Sequence, residues 1–175
     1  MWAPRTFFAS LFCANEKSIF TFGGFDGKED LKTCERYRVD TNTWQKLPEL
    51  PQARNGSCAI QFEEEKDIYI FGGRNLAQGS MNSILKFNTL KEDFIELNLI
   101  MEEPLHDFKI VILDQVKASR ILLLGGRSGT QMNQNAYLMD LSLFRKPKHQ
   151  LKRIPPIYSE IQQLSETEFI ILEGH

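Results

Sequence analysis

Three arginine-led pairs, Arg54-Asn55, Arg74-Asn75 and Arg127-Ser128, are the residues of this sequence best suited to recognising something. An arginine offers a planar fork of N–H donors that matches a carboxylate, and a neighbouring amide or hydroxyl adds further donors and acceptors. Bond-making chemistry has no comparable set. His106, His149 and His175 stand alone, without the HxH or HExxH spacing that would hold a metal. There is no GxSxG, and no GxGxxG between a strand and a helix. Cys13, Cys34 and Cys58 are widely spaced with no CxxC, which reads as buried free thiols in a reducing, cytoplasmic setting. Glu63-Glu64-Glu65 beside Lys66 could attract a cation but reads first as a solvated hairpin tip. The expectation is no catalytic residue, no metal and no cofactor.

The elements that position these residues repeat. Gly23-Gly24, Gly72-Gly73 and Gly125-Gly126 each close a short apolar run: Ile19 to Phe22, Ile68 to Phe71, and Ile121 to Leu124. Runs of this length bounded by glycine read as strands. Gly24 and Gly73 are 49 residues apart, and Gly73 and Gly126 are 53 apart. A proline turn and a basic residue precede each pair, namely Arg5, Arg54 and His106. Arg5 and Arg54 lie 18 residues before their first glycine and His106 lies 19 before its own. Downstream come Tyr37 and Trp44 in the first unit, Phe87 and Phe94 in the second, and Met139 without a second aromatic in the third. Each unit reads as four short strands, giving blades at about 5–48, 54–98 and 106–154, with a partial fourth at about 157–175. The ending "FIILEGH" carries only one glycine, Gly174.

Composition bounds the remaining classes. The chain has 175 residues, 42% hydrophobic and 25% charged, with a net charge of -2. A single domain with a real core follows, and no broad basic surface invites nucleic acid. No apolar run approaches the roughly 20 residues of a membrane helix. The opening "MWAPRTFFASLFCA" has a short apolar run after Arg5 but a poor cleavage site, so a secretory leader is not expected.

Three in-phase glycine pairs with following aromatics make the chain resemble the kelch repeat, at about 50 residues per unit. The resemblance covers nearly the whole sequence. It is fullest in the first unit and weakest in the third. It implies an all-β fold of four-stranded antiparallel blades in a β-propeller, with the glycine pair ending each second strand. The glycines would then serve close packing, and Tyr37, Trp44, Phe87 and Phe94 would fill space between blades. Three and a half blades do not close a ring. A fragment of a longer propeller is the favoured explanation, ahead of an open arc on a partner, ring closure with a second chain, or a compact four-blade form.

Family members of this kind mostly bind proteins through loops at one end. The resemblance places Arg54, Asn55, Arg74, Asn75, Arg127 and Ser128 at that end, together with Arg5, His106, Gln131 and Asn133. The expected function is a non-enzymatic interaction module for a protein partner or acidic peptide. The alternatives are substrate recognition for a cullin-type ubiquitin ligase and a cytoskeletal, actin-binding scaffold. An enzyme on a propeller is the least favoured. Self-association through open blade faces is a further expectation. The competing role for Arg5 and Arg54 is to brace neighbouring loops.

Overall fold

The computed structural model describes residues 1–63, 65–113 and 120–141. The first blade holds β1 (Ala9–Cys13), β2 (Ser18–Phe22), β3 (Cys34–Arg38) and β4 (Thr43–Leu47), in that order across an antiparallel sheet. The second holds β5 (Cys58–Gln61) and β6 (Asp67–Phe71). It continues after a two-stranded ladder of β7 (Arg74–Asn75) and β8 (Gly79–Ser80) with β9 (Ser83–Asn88) and β10 (Asp93–Ile100). Of the third blade, β11 (Lys109–Ile112), β12 (Arg120–Leu124) and β15 (Ala136–Asp140) are described, with a small ladder of β13 (Arg127–Ser128) and β14 (Gln131–Met132). The fold is all-β, in blades of the propeller type with no closed ring among the described residues. The fourth strand expected of the third blade, and the partial blade at 157–175, lie outside the described residues. The small ladders were not expected.

Blade packing explains the strand sequences. β6 reads Asp-Ile-Tyr-Ile-Phe, and its last four residues are all buried because both faces are covered. Ile68 and Ile70 meet Phe20, Phe22 and Phe87 in a core shared with the first blade. Tyr69 and Phe71 turn the other way, toward Ile121 and Leu123 of the third. β4, at the outer edge, is mostly exposed, with only Leu47 buried. The first strands lie innermost, with β1 touching β5 and β5 touching β11.

The aromatic pairs differ from expectation in one respect. Phe87 and Phe94 sit opposite each other across β9 and β10, and Phe22 of the first blade packs edge-on to both, at 5.6 and 6.2 Å between ring centroids. They do fill an inter-blade space. Tyr37 and Trp44 hold the same register in the first blade and lie 5.2 Å apart. They are only half-buried, because their face points away from the second blade and no described strand covers it.

Each glycine of a pair has its own reason. A Cβ on Gly23 would stand 2.3 Å from the Arg54 carbonyl oxygen, and one on Gly72 would stand 2.4 Å from that of Leu105. The first glycine therefore admits the backbone of the next blade. A Cβ on Gly24 would stand 2.7 Å from the Thr6 carbonyl oxygen, and one on Gly126 would stand 2.7 Å from that of His106. The second glycine admits the segment leading into its own blade. The second glycine also latches the junction: Gly24 N–H donates to Arg54 O, and Gly73 N–H donates to Leu105 O, both at 2.9 Å.

Candidate partner-binding site at the glycine end

The segments leading into the blades are tied by bridges to the residues after the glycine pairs: Thr6 to Phe25, Asn55 to Arg74, and His106 to Arg127. They also form a belt around the axis, since Gly56 N–H donates to Phe7 O at 2.7 Å and Asp107 N–H to Gly56 O at 2.8 Å. The loops after the second strands and the lead-in segments thus share one end of the molecule.

Arg54 is corrected by this geometry. It is fully buried, not part of an open mouth. Its guanidinium donates to Gly72 O at 2.9 Å and to Ser83 Oγ at 3.3 Å. Burial lowers its pKa to about 10, so it stays charged at neutral pH. Arg5 does the same work in the first blade, donating to Gly23 O at 2.9 Å and Thr33 O at 2.7 Å, with Glu35 as its ion-pair partner. His106 is not the third member of this series. Its bridge to Arg127 aligns it with Asn55 and Thr6, so the arginine slot of the third blade is held by Leu105. There the glycine carbonyl is served from another direction, because Asn133 Nδ2 donates to Gly125 O at 2.8 Å.

The other expected residues gather, with different freedom. Arg74 and Arg127 line one cavity of about 340 Å³ with Asn55, Phe7, Phe25 and Asp30. Arg127 is exposed and Arg74 half-buried, and neither guanidinium is hydrogen-bonded among the described residues. Asn55 is nearly buried and donates its amide to Asp30. Asn75 shapes its own loop: it donates to Ala53 O at 2.9 Å and accepts from Gln78 N–H at 2.8 Å. Ser128 sits beside the cavity on β13 but does not line it.

His106, 2% exposed, joins the second and third blades. Its Nδ1 lies 3.0 Å from Ser80 Oγ, which accepts from Gly129 N–H at 2.8 Å. Burial pushes its pKa down, against the pull of Asp107, and the nearby charges of Arg74 and Arg127 push the same way. Burial likewise raises the Cys34 thiol to about 12, so it is unreactive.

Lys28, Asp30, Phe7 and Asp107 also line the cavity and were missed in the sequence. Phe7 carried no motif signal at all. It is 63% exposed at a backbone φ of 52°, a left-handed conformation that Gly56 and Asp107 hold at the matching points of the other blades. A bulky exposed ring in that region costs energy and points to use.

These blades, latches and lead-in segments define a protein of the β-propeller class. Residues 8–51, the whole first blade, match the family model described as the Kelch motif. Over 60 residues the chain is 33% identical to Kelch-like protein 35 of Mus musculus, a stretch that is 34% of this chain and 10% of the mouse protein. The chain spans about a tenth of that relative's length. The first blade thus carries a Kelch motif, and the chain is similar to kelch-repeat proteins.

Proposed function

We propose that the chain is a non-catalytic interaction module that takes an acidic segment of a partner protein into the glycine-end cavity. The observation that carries this reading is the convergence of Arg74 and Arg127, from two successive blades, on one cavity with Lys28 at its rim. Of the two carboxylates that line it, Asp30 is already engaged, by the Asn55 amide and by Leu76 N–H at 2.8 Å, and Asp107 lies 3.9 Å from the His106 ring. A partner carboxylate therefore meets two unengaged guanidinium forks. Phe7 and Phe25 offer apolar contact beside them.

The test is affinity for a panel of acidic and neutral peptides, measured on the parent chain and on Arg127→Ala and Phe7→Gly. Acidic peptides should bind, lose about tenfold or more in Arg127→Ala, and weaken with salt. Equal affinity for neutral peptides, or indifference to Arg127→Ala, would overturn the reading.

Substrate recognition for a cullin-type ligase and a cytoskeletal scaffold are both uses of such a module. Co-purification of a cullin, or co-sedimentation with actin filaments, separates them. The free thiols of Cys13, Cys34 and Cys58 support action in a reducing compartment such as the cytoplasm.

A further inference from the structure

At the end opposite the glycine pairs, a cleft of about 540 Å³ opens between the first and second blades. Three carboxylates line it, those of Glu16, Glu65 and Glu92, against two cations, Arg36 and Lys66. Arg36 stands beneath them with both terminal nitrogens engaged: it donates to Glu16 Oε2 at 3.2 Å, Gln45 Oε1 at 2.7 Å and Glu92 Oε1 at 3.0 Å, while its Nε has no partner among the described residues. Each of Glu16 and Glu92 thus gives one oxygen to Arg36, and the other can accept from a second cation. Independently, Thr89 lines the same cleft, is 4% exposed, and its hydroxyl has no partner. A buried hydroxyl without a partner is costly unless something satisfies it. Leu90, 70% exposed at the rim, offers an apolar surface.

Among the described residues, the second blade's contribution to the cleft is not repeated in the first. The β3–β4 and β9–β10 turns have equal length, and the first blade places Val39 where the second places Thr89. The counterpart of Arg36 in the second blade is Lys86, which pairs with Asp67 at 2.8 Å. Glu16 and Glu65 hold the same position in their blades, three residues before Ile19 and Ile68, but Glu92, the buried hydroxyl and the apolar rim are not a by-product of the repeat.

We propose that this cleft is a second binding site, which takes the side chain of a lysine or arginine from a partner peptide. The cation lies between Glu16 and Glu92, its aliphatic stem lies along Leu90, and Thr89 meets a polar atom of the peptide. The site is independent of the glycine-end cavity and has the opposite charge preference.

The experiment titrates the isotope-labelled 175-residue chain with N-acetyl-arginine methylamide and, separately, with the neutral isostere N-acetyl-citrulline methylamide, following amide resonances. The arginine probe should give saturable shifts at Asn15, Leu90 and Glu92, and the citrulline probe should bind about tenfold more weakly or worse. Glu92→Gln should weaken the arginine probe about tenfold, and Thr89→Val should weaken it measurably, with the amide spectrum confirming the fold of each. Valine has the shape of threonine, and the side chain of Glu92 is 33% exposed, so at least one variant should fold. Equal binding of the two probes, no saturable shift, or arginine binding unchanged in the folded variants would each overturn the proposal.

Discussion

Arg54 and Arg74 carry the same charge and lie 20 residues apart, yet one is a fixture of the backbone and the other faces a cavity. Arg54→Ala should destabilise the fold by about 2–4 kcal/mol, through a lost charge-assisted hydrogen bond and the void left behind. Arg74→Ala should change stability by about 0.5 kcal/mol or less while weakening an acidic partner. Melting temperature and peptide affinity on the same two proteins check both halves. His106 gives a pH dependence. Its folded pKa lies below the ordinary 6.5, so between those values the unfolded chain holds a proton that the folded chain lacks. Its contribution to stability is intact above about 6.5 and is lost as pH falls through that window. Denaturant titrations at several pH values should show a shallower acid loss in His106→Gln than in the parent, and equal slopes would remove His106 as the cause. Bracing of neighbouring loops was one of the two roles read from the sequence for Arg5 and Arg54, but which role held was not legible there. An arginine's type does not say whether its fork meets a carbonyl or a ligand. The one clue was arithmetic: the 19-residue count at His106, against 18 for Arg5 and Arg54, was already a sign of a different slot.

At the scale of the element, the glycine pairs were legible because backbone sterics leave a mark on residue type. Only glycine fits where another carbonyl lies so close. The strands were legible for a similar reason, since second strands buried on both faces become unbroken apolar runs. The small ladders β7–β8 and β13–β14 were not, because two-residue strands carry no period. The glycines can be told apart by experiment. Gly72→Ala brings a Cβ to 2.4 Å from the Leu105 carbonyl at a φ of +55°, and should cost several kcal/mol. Gly125→Ala has a similar φ, +64°, but meets nothing within 4 Å among the described residues, and should cost only the left-handed backbone penalty of about 1–2 kcal/mol. Denaturant midpoints of the two variants test the ranking. Equal losses would mean that conformation, not the approach of the next blade, fixes the pair.

The molecule as described has two uncovered flat faces. One carries Tyr37 and Trp44, and the other carries Leu122 and Leu124, the third-blade equivalents of Phe20 and Phe22. Leu124 is 38% exposed, whereas Phe22 is fully buried. Surfaces of this kind associate. The 175-residue chain should run in size exclusion as a species larger than one chain, increasingly so with concentration, and Trp44→Asp should shift it toward monomer. A sharp monomer peak at all concentrations would refute this. The latches from Gly24 N–H to Arg54 O and from Gly73 N–H to Leu105 O also have a mechanical meaning. They stand in series along the chain, one per junction, so a pulling force loads each blade through its latch to the next. Blades should then let go singly, not together. With 49 residues from Gly24 to Gly73, each release should lengthen the chain by roughly 160 Å at full extension, which makes the protein a tether that yields in steps.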